Sequence, residues 1–162
     1  MGKRKEYKEF IKKLRATEGC QRNFWYSITN QSDIDFLMER FGGFHDSVII
    51  SANYTNGCWL SDGSITMDSE KEILSLIFKS QWVNPKLELK FIGIRRCNLI
   101  GYQDNYSSEI LNCYLSFFDG NIIFANTESF DPENPMSDKL IDEDMTTFAI
   151  ADKLNWRFID IE

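Results

Sequence analysis

From His45 onward, the apolar residues of this chain recur mainly at every second position. Alternation of this kind places one face of a β-strand against a core, whereas a helix repeats its apolar residues every three or four positions. The segment "LELKFIGI" shows the pattern most clearly, because Leu87, Leu89 and Phe91 alternate with charged residues. The pattern therefore predicts that most of the chain folds as a β-sheet.

Turn signals divide this part of the chain into strands. Asn56-Gly57 and Asp119-Gly120 are predicted hairpin turns, because such dipeptides favour a two-residue turn. Asp62-Gly63 is expected to form a bulge or a second turn. Hairpins join sequence neighbours, so the sheet is expected to be mostly antiparallel. Residues 146–161 fit either a helix or strands around a turn, and strands are favoured. The other predicted strands are 47–54, "CWLSDGSITM", "EILSLIFKSQW", "LELKFIGI", "ILNCYLSFF" and "NIIFAN".

Two helices are predicted before the strands. Residues 3–17 carry four apolar side chains at helical spacing among lysines and arginines, which indicates a packed helix with a solvated basic face rather than an arm for nucleic acid. Residues 32–42 begin at Ser32, a good N-cap, with Asp35 in the capping-box position, and end at a pair of glycines.

Helices followed by a run of strands predict an α+β fold. We expect two N-terminal helices packed on a mostly antiparallel meander sheet or a partly closed barrel of about 6–8 strands. The 162 residues fit a single domain. Within it, 1–43 is the predicted helical part and 44–162 the β-rich part.

The chain carries a net charge of −7, which is unevenly distributed. Residues 1–22 hold eight Lys or Arg against three Glu, whereas the other 140 residues hold ten Lys or Arg against 22 Asp or Glu. An acidic body repels phosphate, so nucleic-acid binding is not expected, but it attracts a basic protein. The acidic loop, residues 127–145, is the predicted contact with such a partner. Its predicted contact residues are Glu128, Phe130, Asp131, Glu133, Asp142, Glu143 and Asp144.

The only histidine lies in "FGGFHDS", between the second predicted helix and the first long strand. A catalytic triad works by convergence in space, and on a strand His45 and Asp46 would point to opposite faces. The favoured interpretation is a structural corner of Gly42, Gly43, His45 and Asp46, in which Asp46 accepts backbone N–H bonds. No catalytic residue, metal site or cofactor is predicted, since no matching motif occurs.

The four cysteines have spacings that match no metal or redox motif. They are expected to be reduced, buried thiols of a cytoplasmic protein. No apolar run follows the first charges and no stretch approaches 18 apolar residues, so neither a secretory signal nor a membrane span is predicted. The oligomeric state is left open.

The run "DIDFLMERFGGFHDSVIISANYTNG", with "KLELKFIGI" and "ADKLNW", resembles small bacterial β-rich proteins in which a helix leads into F-H-D-S or F-H-D-G. Some such chains resemble immunity proteins of polymorphic toxin systems. The resemblance implies a bacterial cytoplasmic origin and carries no catalytic residue. With the acidity, it leads us to expect a non-catalytic protein-binding domain, an immunity protein that neutralises a basic toxin. The alternative is a small-ligand binder or enzyme with a pocket in the β-sheet involving His45.

Overall fold

A computed structural model describes residues 19–101, 109–127 and 147–160. This part of the chain contains seven strands, one α-helix and one short 3-10 segment. In chain order they are β1 (Tyr26–Ile28), α1 (Gln31–Arg40), the 3-10 segment (Gly42–Phe44), β2 (Ser47–Ser61), β3 (Ser64–Ser80), β4 (Lys86–Asn98), β5 (Tyr114–Phe118), β6 (Asn121–Ala125) and β7 (Phe148–Ile159).

The seven strands form one sheet in the order β2-β3-β4-β7-β6-β5, and β1 also pairs with β7. Every pairing between these strands is antiparallel. β7 has β4 along one side and both β6 and β1 along the other. The last long strand of the chain is therefore central to the sheet, while β2 lies at one edge.

Phe44 lies inside the concave face of this sheet. Its ring centroid is 5.1 Å from that of Phe78 on β3 and 5.6 Å from that of Phe124 on β6. The rings of Phe78 and Phe124 are themselves 5.5 Å apart, although β4 and β7 lie between their strands. Three strand spacings cover about 14 Å in a flat sheet. The sheet must therefore curl around the aromatic cluster.

Helix α1 packs against this core. Asn30 accepts a hydrogen bond from the backbone N–H of Asp33, whose carboxylate accepts one from the backbone N–H of Asn30. This capping box starts the helix two residues before the predicted N-cap at Ser32. Ile34 and Leu37 on one face of the helix are fully buried. The helix is held by its cap and by a narrow apolar stripe.

The alternation between core-facing and outward-facing side chains shifts by one residue at Gly93 on β4 and at Asp152 on β7. Phe91 and Ile94 both contact the main core, as do Ala151 and Leu154, although an uninterrupted alternation would separate the members of each pair. Gly93 has φ +69°, and a Cβ there would lie 2.5 Å from Oδ2 of Asp152. A glycine at this position lets the Asp152 side chain fold closely over β4.

β2 and β3 extend beyond the rest of the sheet as a two-stranded arm. We use this name for residues 58–67, in which Cys58–Ser61 pairs with Ser64–Met67. A bulge separates the arm from the sheet, because Gly57 on β2 faces the four unpaired residues 68–71 on β3. β4 pairs with β3 only from Ile73 onward. Within the described ranges, the arm therefore consists of two strands with no third strand paired beside them.

The prediction of two N-terminal helices packed on a sheet is wrong. The described part of the chain has one α-helix of ten residues against seven strands, so it is an antiparallel sheet with a single helix. Residues 3–17, the first predicted helix, lie outside the described residues. The physical reason is the length of the strands. A long sheet that curls on itself supplies core contacts from two sides, so a second helix is not needed to cover it.

The predicted hairpin turn at Asn56-Gly57 is also wrong. β2 continues through it and turns at Asp62-Gly63, where both residues have positive φ.

The predicted turn at Asp119-Gly120 is confirmed, since Phe118 pairs with Asn121 across it. The strand interpretation of the C-terminal segment is confirmed as well, but Phe148–Ile159 is one strand without the predicted turn. Pairing with β4 and β6 keeps that strand extended.

Gly57→Ala tests the bulge that sets off the arm. A Cβ at Gly57 would lie 2.4 Å from the carbonyl oxygen of Asp68 and 2.8 Å from the backbone nitrogen of Glu72, and φ is +67°. We expect the free energy of unfolding to fall by about 2–4 kcal/mol from the left-handed backbone and the clash together. Gly63→Ala is the matched control, because φ is +78° there but nothing lies within 4 Å. In urea unfolding, Gly63→Ala should lower the free energy of unfolding by only about 1 kcal/mol. Equal losses would show that the close approach at Gly57 does not matter.

The cysteines differ in exposure, which corrects the prediction that all are buried. The four cysteines are free, and Cys58 and Cys97 are exposed. Burial raises the pKa of the Cys113 thiol to about 12. A raised pKa leaves little thiolate at pH 8, on the order of one part in ten thousand, and thiolate is the reactive form.

We therefore expect iodoacetamide at pH 8 to modify Cys58 first and Cys113 last in the native protein. Peptide mass spectrometry over a time course measures the order, and unfolded protein is the control in which the two should react alike. Modification of Cys113 at the rate of Cys58 in the folded chain would contradict its burial.

Candidate protein-binding surface

The predicted corner lies where α1 ends and β2 begins. Gly42, Gly43, Phe44 and Asp46 all have positive φ, between 55° and 64°. Such angles are strained for a residue with a side chain and are tolerated where the surroundings fix them. At Phe44 the fixing contact is the buried ring inside the aromatic cluster. The reversal after the helix therefore depends on a core contact as well as on the two glycines.

Asp46 connects three segments of the chain at this corner. Its backbone N–H donates to the carbonyl of Ile110 at 2.9 Å, and its carbonyl accepts from the N–H of Gln81 at 3.0 Å. Its carboxylate accepts from the indole N–H of Trp82 at 2.6 Å and lies 3.0 Å from Nδ1 of His45. The Asp46 carboxylate therefore accepts from an indole and lies beside an imidazole. The backbone N–H groups that the sequence predicts as its donors are not its partners.

The alternation expected for His45 and Asp46 fails because Asp46 has a φ of +55°. The structure brings the imidazole and the carboxylate together instead of placing them on opposite faces. Ser47 is fully buried, and its hydroxyl donates to the carbonyl of Phe44. A hydroxyl held in this way does not face the imidazole as a nucleophile would. The arrangement orients side chains within the corner.

We expect Asp46→Ala to lower the free energy of unfolding by about 1–3 kcal/mol, because the indole N–H of Trp82 loses its acceptor in a partly buried place. Urea unfolding followed by circular dichroism measures it. His45→Ala should cost less, since that side chain is 52% exposed.

Trp82→Phe in the Asp46→Ala background is the control. If the indole hydrogen bond carries the effect, Trp82→Phe should lower the free energy of unfolding less in the Asp46→Ala background than in the parent protein. Purely additive losses would show that the two side chains are not coupled.

The seven residues predicted to contact a partner, from Glu128 to Asp144, lie outside the described residues. The acidic loop therefore stays a prediction, and it enters none of the geometry below.

A cleft of about 440 Å³ opens beside the turn between β5 and β6. Phe118, Ile123 and Ile150 form its apolar lining, with Arg95 and Asp152 among its polar residues. Arg95 Nε donates to Asp152 Oδ1 at 2.8 Å, so these two charges already satisfy each other. His45 is not part of the lining. The cleft therefore gives no support to a pocket built around the histidine.

The arm carries the most exposed large apolar side chains of the described residues. Leu60 is 77% exposed, Ile65 78% and Met67 72%. Leu60 pairs with Ile65, and Cys58 pairs with Met67. Directly opposite residues of an antiparallel pair share a face, as do residues two apart along a strand. These four side chains therefore form one exposed surface, which we call the apolar face of the arm.

The base of the arm is fixed to the sheet by polar contacts. Tyr54 Oη donates to Glu72 Oε1 at 2.7 Å, and this hydrogen bond is the main reason why the pKa of Tyr54 is raised to about 12. Glu70, in the bulge, accepts from Nζ of Lys153 on β7 at 2.7 Å. Lys71 lies over the ring of Trp59 at 4.2 Å, on the opposite face from Leu60. The arm therefore projects from a base that is tied to the sheet.

This surface does not follow from the sequence prediction, in which "CWLSDGSITM" is an interrupted strand. A signal was available, because an Asp-Gly turn flanked by Leu60 and Ile65 places two large aliphatic side chains opposite each other at a hairpin tip. Whether a core covers them cannot be read from local sequence.

No family model, no curated protein and no solved structure matches this chain. Over the ranges that the structure describes, no three His, Cys, Asp or Glu side chains are grouped so that they could hold a metal ion. No helix within those ranges is long and apolar enough to cross a membrane. The site geometry thus defines an exposed apolar surface on a two-stranded arm.

Proposed function

We propose that this protein is a non-catalytic protein-binding domain whose arm contacts a basic protein, as an immunity protein contacts the toxin that it neutralises. The observation that carries the proposal is the apolar face of the arm. Burying Leu60, Ile65 and Met67 would contribute on the order of 5 kcal/mol, because each large aliphatic side chain contributes about 1.5–3 kcal/mol when fully buried.

The geometry of the arm supports recognition of a macromolecule rather than a small molecule. Among the described residues, no walls enclose the exposed side chains of this strand pair, whereas small-ligand sites are concave. A protein surface can cover several square nanometres and can enclose such a projection. Large apolar side chains at the centre of a contact are the kind that carry binding energy.

Charge favours a basic partner. The chain carries a net −7, and residues 58–72 hold four acidic residues against one lysine. A basic protein would be attracted to this region from a distance, which increases its association rate. A second copy of the same chain would bring two acidic surfaces together. The loose resemblance to immunity proteins agrees with a partner of this kind.

Site-specific photo-crosslinking tests the proposal in the source cell. A benzoylphenylalanine at position 65 should give an adduct with one basic protein, identified by mass spectrometry. The same group at position 111 is the control, because Leu111 is 56% exposed and follows Ile110, which pairs with the far end of β2 at Ser47. It should not give that adduct.

The identified protein then allows a binding measurement with purified components. We expect Leu60→Ser and Ile65→Ser each to weaken binding at least tenfold, while Leu111→Ser leaves it unchanged. Affinity should also fall as salt rises. An adduct common to both positions, an acidic partner, or an adduct with a second copy of this chain would overturn the proposal.

A further inference from the structure

β2 is the outermost strand on its side of the sheet and runs for 15 residues. On the outer edge of β2, the described residues supply one contact, the isolated pair between Ser47 and Ile110 at its start. The other edge strand, β5, has five residues. Among the described residues, the long edge of this sheet is therefore unpaired along most of its length.

The composition of this edge is unusual. The segment "SVIISANYTNGCWLS" contains no Lys, Arg, Asp, Glu or Pro. Natural edge strands usually carry such residues, because an open row of backbone N–H and C=O groups pairs readily with another chain. β2 has two bulges, but its side chains do not discourage an approaching strand. An edge of this type is suited to strand addition, in which a partner contributes an extended segment.

We infer that the outer edge of β2 accepts an extended segment of the basic partner as an added strand. This inference rests on the proposed function and specifies how the same surface is recognised. Along the arm, the added strand would place apolar side chains beside Cys58 and Leu60 on one face. Its other face would meet Trp59.

Hairpin geometry identifies the backbone groups that would be used. Ser61 and Ser64 flank the two-residue turn, so they form a hydrogen-bonded pair. Hydrogen-bonded and non-hydrogen-bonded pairs alternate along an antiparallel ladder. The pair of Leu60 and Ile65 is therefore non-hydrogen-bonded. The backbone N–H of Leu60 points away from β3 to the outer edge of β2, and that of Ile65 points to the opposite edge of the arm.

The β3 edge of the arm is less suited to an added strand. It is interrupted after Met67 by the unpaired residues 68–71. Two of these, Asp68 and Lys71, form an ion pair, and Glu70 binds Lys153. A strand beside β3 could pair with only 64–67. The β2 edge, in contrast, continues past its bulge along Ser51–Asn56.

The occupant is a basic heterologous segment rather than a second copy. Pairing two copies along β2 would join two chains of net charge −7 and bring two acidic arms close together. The same negative charge attracts a cationic segment. Lysine or arginine in alternate positions would also keep that segment from pairing with itself.

A backbone substitution tests the inference with the partner identified by crosslinking at position 65. Replacing Leu60 by its α-hydroxy analogue removes one N–H and keeps the side chain. We expect this protein to bind the partner about three- to tenfold more weakly, the effect of one lost hydrogen bond. The matched control is the α-hydroxy analogue at Ile65, where the N–H faces the other edge. It should bind like the parent.

Amide hydrogen exchange gives a second measurement on the unmodified chain. In the complex, the N–H group of Leu60 should be protected, while that of Ile65 should exchange as in the free protein. Equal binding by the two analogues, with no protection at Leu60, would overturn strand addition and leave the protein-binding function standing. Failure to capture a partner at position 65 would instead count against the proposed function itself.

Discussion

The packing of Phe44 between Phe78 and Phe124 is the contact on which the rest of the structure depends. It joins strands on opposite sides of the sheet, so the sheet has to curl. Phe44 also belongs to the corner, and its buried ring holds the backbone there at a positive φ. The start of β2 is positioned by this single insertion, which places Asp46 within reach of Trp82. The same residue, Phe44, therefore connects the core packing with the polar corner.

The arm projects where β3 no longer pairs with β4. β3 pairs with β4 only over Ile73–Phe78, where both strands contribute to the core. Beyond that point β3 leaves the pairing through the bulge, where Glu70 forms an exposed ion pair with Lys153 on β7. A two-stranded hairpin is marginally stable by itself. Fixing its base lowers the conformational freedom that a partner would have to remove, and pre-organisation of this kind favours binding.

An open edge without charge and an exposed apolar tip together make a chain liable to self-association. The net charge of −7 opposes this, since it repels other copies at long range. The same charge attracts a basic protein. One property of the composition therefore suppresses the wrong contact and favours the proposed one, which is how specificity between partners is usually obtained.

The sequence by itself determined the strands of the core, because their alternation is local and each strand needs only one buried face. It also determined the turn at Asp119-Gly120. Tertiary structure decided the rest. Asn56-Gly57 has the local preference of a turn, but pairing with β3 on both sides of it keeps β2 extended. The contact of His45 with Asp46 follows from a positive φ at Asp46, whose backbone is hydrogen-bonded to Ile110 and Gln81, two residues distant in sequence. The exposure of the arm was likewise undetermined, because burial depends on which distant strands end beside it.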